Sequence, residues 1–167
     1  MKLNEPLIAE IRHESATTRL MLERVPEGSL NWRPHQKSRT LGEIAAHVAN
    51  LPGVFIAPLD RDEFDRNKYT YFIENTADIL ETFDRNIANA LSVLEVLSDE
   101  KMISTWKYKY GDKVIFEMPR LAVIRAMALN HLIHHRGQLS VYLRMLDVSV
   151  PGAYGPSADD AAAQSTG

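Results

Sequence analysis

The sequence contains no cysteine, and this absence excludes several kinds of site. Without thiols the chain cannot form disulfides, a thiolate-bound zinc site or a cysteine nucleophile. The side chains that remain available for binding a metal are those of histidine, aspartate and glutamate. Any metal chemistry must therefore use imidazole or carboxylate ligands.

Long apolar runs and an excess of positive charge are missing as well. No stretch approaches the roughly 18 apolar residues of a membrane-spanning helix, and the N-terminus lacks the apolar core of a signal peptide. The chain carries 19 basic and 22 acidic side chains, which gives a net charge of −3 without a basic block. We therefore expect a cytoplasmic protein that binds neither a membrane nor nucleic acid.

Helical periodicity dominates what the sequence does contain. Its 167 residues correspond to about one domain, which we place at residues 1–157, followed by a flexible tail over residues 158–167. Apolar residues recur every three or four positions in four segments, which predicts an all-α bundle. These segments are residues 4–25, 41–55, 76–97 and 119–146.

The pattern changes to strict alternation just before the last predicted helix. Residues 105–110 and 114–118 flank Gly111-Asp112, a sequence that predicts a small β-hairpin. Residues 60–75 are charged and aromatic by turns, and we interpret them as a loop that contains a short helical turn. Pro52-Gly53 is expected to kink or end the second helix.

Two histidines on the last helix, His131 and His135, are four residues apart. Residues with this spacing project from one face of a helix, and on a helical wheel both imidazoles fall in the middle of the apolar stripe. A ring buried without partners leaves a donor or acceptor unpaired at a cost of about 1–3 kcal/mol. Shared coordination of a metal would satisfy both rings. Separate hydrogen bonds to facing groups are the alternative.

A metal site that is open for chemistry usually has three protein ligands and an exchangeable water, so a third ligand is required. His47 is the best candidate, because it borders the apolar face of the second helix. Glu43 lies one turn from His47, and Gln138 lies one turn from His135. We predict that these two side chains hold the second ring nitrogens of the ligands. The remaining histidines are assigned to the surface or to the edge of the stripe: His13, His35 and His134.

Several short motifs occur in the order and spacing of a known family. They are Leu30-Asn31-Trp32-Arg33-Pro34, Leu41-Gly42-Glu43-Ile44-Ala45-Ala46-His47, Asn130-His131, His134-His135-Arg136-Gly137-Gln138-Leu139, Val150-Pro151 and Tyr154-Gly155. By these motifs the chain resembles the DinB/YfiT-like (DNA-damage-inducible) proteins over nearly its whole length. The resemblance implies a four-helix bundle with a long crossover, usually a homodimer, and a divalent metal held by three histidines. They correspond to His47, His131 and His135, and His134 is implied to lie outside the ligand set.

The resemblance also suggests an activity. Characterised relatives look like thiol-dependent enzymes, which implies transfer of a low-molecular-weight thiol to an electrophile. Imidazole ligands suit zinc, nickel, copper and iron alike, and we favour zinc or nickel as the cofactor. A neutral site of three imidazoles keeps the full charge of the cation, which lowers the pKa of a bound thiol or water. Because the chain lacks cysteine, the thiol must come from outside. Two alternatives stay open, a metal-dependent hydrolase and a metal-binding stress-response protein without catalysis.

Overall fold

Four helical stretches pack into a bundle in which the third and the last each contact the first and the second. The computed structural model describes residues 2–71 and 73–165. The helices that precede the hairpin are α1 (Asn4–Leu22), α2 (Leu41–Phe55), α3 (Thr76–Val96) and the short α4 (Asp99–Ile103). A long connection crosses from α2 to α3, so the predicted bundle with its crossover is confirmed.

The last bundle helix is not a uniform α-helix. It begins as α5 (Arg120–Ala122), continues as a π-helical segment (Val123–Asn130) and ends as α6 (His131–Met145). A π-helix forms i to i+5 hydrogen bonds, and such segments are frequent at functional sites. The predicted helix is therefore confirmed as helical backbone, but α-helical periodicity is wrong for its π segment. The wider turns end directly before His131.

A three-stranded sheet lies beside the bundle, in the order β1 (Glu63–Asp65), β2 (Thr105–Tyr110) and β3 (Lys113–Pro119). Strands β2 and β3 form the predicted antiparallel hairpin, and Gly111 supplies the positive φ of 59° that its tight turn needs. Strand β1 pairs with β2 in parallel, with Phe64 opposite Tyr108. It falls in the segment interpreted as loop, so that interpretation is wrong for these three residues.

Helix α2 continues through Pro52 and Gly53 to Phe55. Of the two predicted outcomes, a kink or an end of the helix, the second is therefore wrong. Asn86 of α3 donates from its amide to the carbonyl of Ala49 at 3.0 Å. A Cβ atom on Gly53 would lie 2.6 Å from Oδ1 of Asn86. A larger residue at position 53 would therefore displace the Asn86 side chain from this hydrogen bond.

The C-terminal segment folds back on the bundle and forms a helix. Residues 158–167 were expected to form a flexible tail, and helix α7 (Ala158–Ser165) lies in this stretch. Residues 166 and 167 lie outside the described part of the chain. The Asp160 carboxylate accepts hydrogen bonds from the backbone N–H groups of Gly152 at 2.9 Å and Ser157 at 2.8 Å. These contacts fix the turn that precedes the helix, which explains why an Ala-rich stretch without an apolar stripe is ordered.

One apolar core runs between the helices and extends under the sheet. It includes fully buried Leu41, Phe83 and Trp106, and Trp32 packs against it. In the described part of the chain, no helix is long and apolar enough to span a membrane.

Candidate metal centre

His47 stands on α2, whose start is fixed by a capping box. The Glu43 N–H donates to Thr40 Oγ1 at 3.1 Å, and the Thr40 N–H donates to Glu43 Oε2 at 2.7 Å. Among the described residues, Glu43 thus hydrogen-bonds Thr40 and not His47, which corrects the predicted contact between the carboxylate and the ring. The Thr40-to-Glu43 pattern was itself the sequence signal for this competing role.

His131 and His135 occupy the first two turns of α6, where that helix packs against α2. Both rings are half-buried, whereas the wheel placed them in the centre of the buried stripe. The side of α6 that faces the core carries instead Leu132, Arg136, Leu139 and Leu143. The two histidines therefore lie at the border of the core, facing the cleft between α6 and α2.

The structure brings His47, His131 and His135 together as a three-histidine cluster. Their ring centroids are 4.6 Å apart for His47 and His135, 4.7 Å for His131 and His135, and 5.0 Å for His47 and His131. One nitrogen from each ring can be chosen so that all three lie within 4.8 Å of one another. The Nε2 atoms of His47 and His131 are 3.2 Å apart.

This spacing fits a common metal ligand set. Two nitrogens bound at about 2.0–2.1 Å to a tetrahedral zinc ion lie about 3.3–3.4 Å from each other. A shared hydrogen bond would also explain the 3.2 Å separation of the two Nε2 atoms, but it would leave the third ring of the cluster without a reason for its position. One metal ion can be held by all three rings, because a nitrogen from each lies within 4.8 Å of the other two.

The outer nitrogens of the last helix have different surroundings. Nδ1 of His135 lies 2.7 Å from Oε1 of Gln138, so a hydrogen on Nδ1 leaves the Nε2 lone pair free for a ligand bond. This is the contact predicted for Gln138; its effect on metal affinity stays a prediction. Nδ1 of His131 is buried and has no hydrogen-bond partner of normal geometry among the described residues, although a backbone contact with Met127 opposes the lowering of its pKa.

All three rings favour the neutral form that binds metals. Burial lowers the pKa of His47 to about 3, and the positive charge of Arg39 and the neighbouring His135 add to the effect. Burial also lowers the pKa of His131 and of His135; the Gln138 contact opposes this for His135. Near pH 7 the rings are unprotonated, so a cation does not have to displace protons from them.

The other histidines take no part in the cluster. His134 is exposed, and its ring packs edge-on against His135 with a centroid distance of 4.9 Å. It does not belong to the group whose nitrogens converge. His13 and His35 are exposed at other places on the surface, as the sequence indicated.

A cavity of about 260 Å³ opens beside His47 and His131. We call it the site cavity. Its polar wall is formed by the guanidinium groups of Arg39 and Arg66 and by the rings of Tyr71 and Tyr108. Sequence reasoning missed this wall, because its residues come from three separate segments and no local motif connects them.

Comparison with known proteins gives a consistent picture. The family model described as "DinB family" matches residues 1–166. The chain is 25% identical over 151 residues to "Uncharacterized protein YrdA" of Bacillus subtilis (strain 168), covering 88% of this chain and 85% of that protein. A DinB-like protein of Bacillus subtilis, yjoa, superimposes with a TM-score of 0.72 at 17% identity, covering 89% of this chain and 97% of the other. A DinB-like protein of Bacillus cereus ATCC 10987 gives 0.72 at 21% identity, covering 90% and 97%. These structural likenesses concern the fold.

Proposed function

The chain belongs to the DinB family, and we propose that it is a metal-dependent enzyme whose divalent metal is held by the three-histidine cluster. The observation that carries the proposal is the convergence of ring nitrogens from His47, His131 and His135, with two Nε2 atoms 3.2 Å apart. Three protein ligands leave positions open for exchange, as in catalytic zinc sites. Zinc or nickel suits such a set of imidazoles.

The ligands determine what chemistry the site can support. A bound divalent cation supplies Lewis acidity and lowers the pKa of a coordinated thiol or water. Neutral imidazoles contribute no negative charge, so the charge of the cation is not reduced by its ligands. Gln138 orients the ring of His135, and the site cavity gives a small molecule access to His47 and His131.

We propose transfer of a low-molecular-weight thiol to an electrophile as the reaction. The sulfur gives up its proton to solvent and forms a bond to the electrophilic carbon. Either a leaving group departs from that carbon with its bonding electrons, or the electron pair of the broken π or ring bond moves to the neighbouring atom, which takes up a proton. The absence of cysteine means that the sulfur is external. The family resemblance supports a thiol over water as the nucleophile, and also a homodimer in the cytoplasm. Light scattering of the purified protein would test the dimer.

Metal analysis of protein purified without chelator tests the binding step. We expect one metal per chain, lost in His131→Ala and His135→Ala and strongly reduced in His47→Ala, because each removes one of three ligands. His134→Ala and His13→Ala are matched controls, since both remove an imidazole outside the cluster. Loss of metal from His134→Ala equal to that from His135→Ala would contradict the assigned ligand set.

A spectroscopic titration tests the thiol step. Cobalt- or nickel-loaded protein should develop sulfur-to-metal charge-transfer absorption when a small thiol is added, and the metal-loaded protein should conjugate a test electrophile to that thiol. Hydrolysis of an ester or amide without thiol would favour water as the nucleophile. Full metal occupancy without either reaction would support a metal-binding protein without catalysis.

A further inference from the structure

Two arginines line the site cavity without an acidic partner. Arg39 directly precedes the capping box of α2, and Arg66 follows β1. Among the described residues, no carboxylate lies within ion-pair distance of either guanidinium, although both line the cavity next to His47. The two fully buried arginines behave differently: Arg120 pairs with Asp62 and Arg136 with Glu14. The site cavity is thus lined by two positively charged side chains that form no ion pair with another described residue.

The side chain of Arg66 is held in place by two neighbouring tyrosines. Its Nη1 donates to the carbonyl of Tyr69 at 2.6 Å, and its guanidinium carbon lies 5.7 Å and 5.9 Å from the ring centroids of Tyr69 and Tyr71. The hydroxyl of Tyr69 in turn donates to Oδ1 of Asn50 at 2.9 Å. A guanidinium has five N–H donors, and one is used here, so several remain for a bound group. Restraint by these neighbours lowers the entropy lost when a ligand is bound.

Both arginines stand close to the three-histidine cluster. Arg39 and Arg66 line the same cavity as His47 and His131, so their positive charges lie near the candidate metal. Adding a dication would bring a third positive centre to the same small cavity. Such a concentration of charge in a partly enclosed space attracts anions and is stabilised by them. A neutral ligand would leave both guanidiniums uncompensated.

We propose that the site cavity recognises an acidic small thiol, with its carboxylate on Arg39 and Arg66 and its sulfur directed towards His47 and His131. This inference rests on the proposed function and specifies its substrate class. The cavity volume of about 260 Å³ limits the enclosed part of the ligand to on the order of ten heavy atoms, since a cavity of about 150 Å³ holds benzene, so acid and sulfur must be only a few bonds apart. Guanidinium groups bind carboxylates through paired, charge-assisted hydrogen bonds, which gives them a strong preference over neutral hydroxyl groups.

Paired thiols of similar size test the preference. Cobalt-loaded protein is titrated with mercaptosuccinate and with monothioglycerol, and dissociation constants are read from the charge-transfer absorption. We expect mercaptosuccinate to bind at least about tenfold more tightly at low salt, a typical gain for a charge-assisted hydrogen bond. Arg39→Gln and Arg66→Gln should each reduce this ratio, and the double variant should abolish it. Arg33→Gln, an exposed residue of the same connection that does not line the cavity, is the control of equal charge.

A second measurement separates this inference from the proposed function. Calorimetric titration of metal-free protein with succinate should show binding that Arg39→Gln and Arg66→Gln weaken and Arg33→Gln does not. If thiols give charge-transfer absorption but acidic and neutral thiols bind equally, the acidic-substrate inference is overturned while the thiol reaction stands. If no thiol gives absorption but succinate binding depends on both arginines, the anion site stands and the thiol reaction fails. If the enzyme prefers acidic over neutral electrophiles but does not distinguish acidic from neutral thiols, the carboxylate bound by Arg39 and Arg66 belongs to the electrophile, and the inference is overturned.

Discussion

The buried ion pair between Arg136 and Glu14 provides a quantitative test of how the last helix is held on α1. Nη1 of Arg136 lies 2.7 Å from Oε2 of Glu14, and the side chains are only 2% and 8% exposed. The same guanidinium donates to Thr18 Oγ1 at 3.1 Å and to the hydroxyl of Tyr154 at 2.8 Å. That hydroxyl lies 3.0 Å from Glu14, so the network also attaches the C-terminal segment.

Arg136→Met removes the charge but keeps most of the side-chain volume. The Glu14 carboxylate then remains buried without its cation, which costs about 3–5 kcal/mol in comparable cases. For a chain of this size each kcal/mol lowers the Tm by about 2–4 °C, so we expect a drop of roughly 6–20 °C. In the double variant with Glu14→Gln neither charge remains, and most of the loss should be recovered.

Urea and thermal unfolding of chelated protein, followed by circular dichroism, measure these differences without stabilisation by bound metal. The ion pair between Arg12 and Glu95 is the matched control: it joins α1 to α3 at 3.2 Å, but its side chains are 60% and 53% exposed. Arg12→Met should cost less than about 1 kcal/mol. A loss below 1 kcal/mol for Arg136→Met, or strictly additive effects in the double variant, would refute the reasoning.

Three further predictions concern the metal centre. Gln138→Ala should weaken metal affinity about 10–100-fold without changing the number of metal ions bound, because the His135 ring loses its orienting partner. Competition with a chelating dye measures the affinity, and an unchanged affinity would contradict the prediction. Glu43→Ala should lower the free energy of unfolding by about 0.5–1.5 kcal/mol through the capping box, with metal affinity unaltered in the same assay. In metal-free protein the pKa of His47 is about 3 in the folded chain and about 6.5 in the unfolded chain. As the pH falls, His47 therefore binds a proton in the unfolded chain at a higher pH than in the folded chain. The free energy of unfolding should therefore decrease from about pH 6.5 downwards, and urea titrations at pH 7 and pH 5 should show a smaller difference in His47→Gln.

Local patterns predicted most of the fold because they act over a few residues. The capping box at Thr40, the three-four spacing of α3 and the turn at Gly111 each depend on neighbours in sequence, and each was found. Strand β1 was not predicted, since it has three residues and pairs with residues 107–109, more than forty positions away. Helix α7 depends likewise on contacts outside itself: Asp160 accepts hydrogen bonds from the preceding turn, and Asp159 pairs with Arg144 of α6. No sequence motif marks the π segment.

The helical wheel selected the two histidines of the cluster correctly, but it placed them in the middle of the buried face of the helix, whereas they lie at its border. A wheel counts Arg136 as a surface residue, but its partner Glu14 stands on another helix, and the pair turns the polar side chain into part of the interior. Leu132, Leu139 and Leu143 already place the buried face of α6 roughly a quarter turn away from His131 and His135, and Arg136 falls on the same side. The wheel also assumed α-helical turns for residues 123–130, which are π-helical. The rings then border the cleft, half-buried, next to the site cavity. This position suits an open metal site better than the core would, because ligands fully enclosed by apolar side chains would leave a thiol no route to the cation.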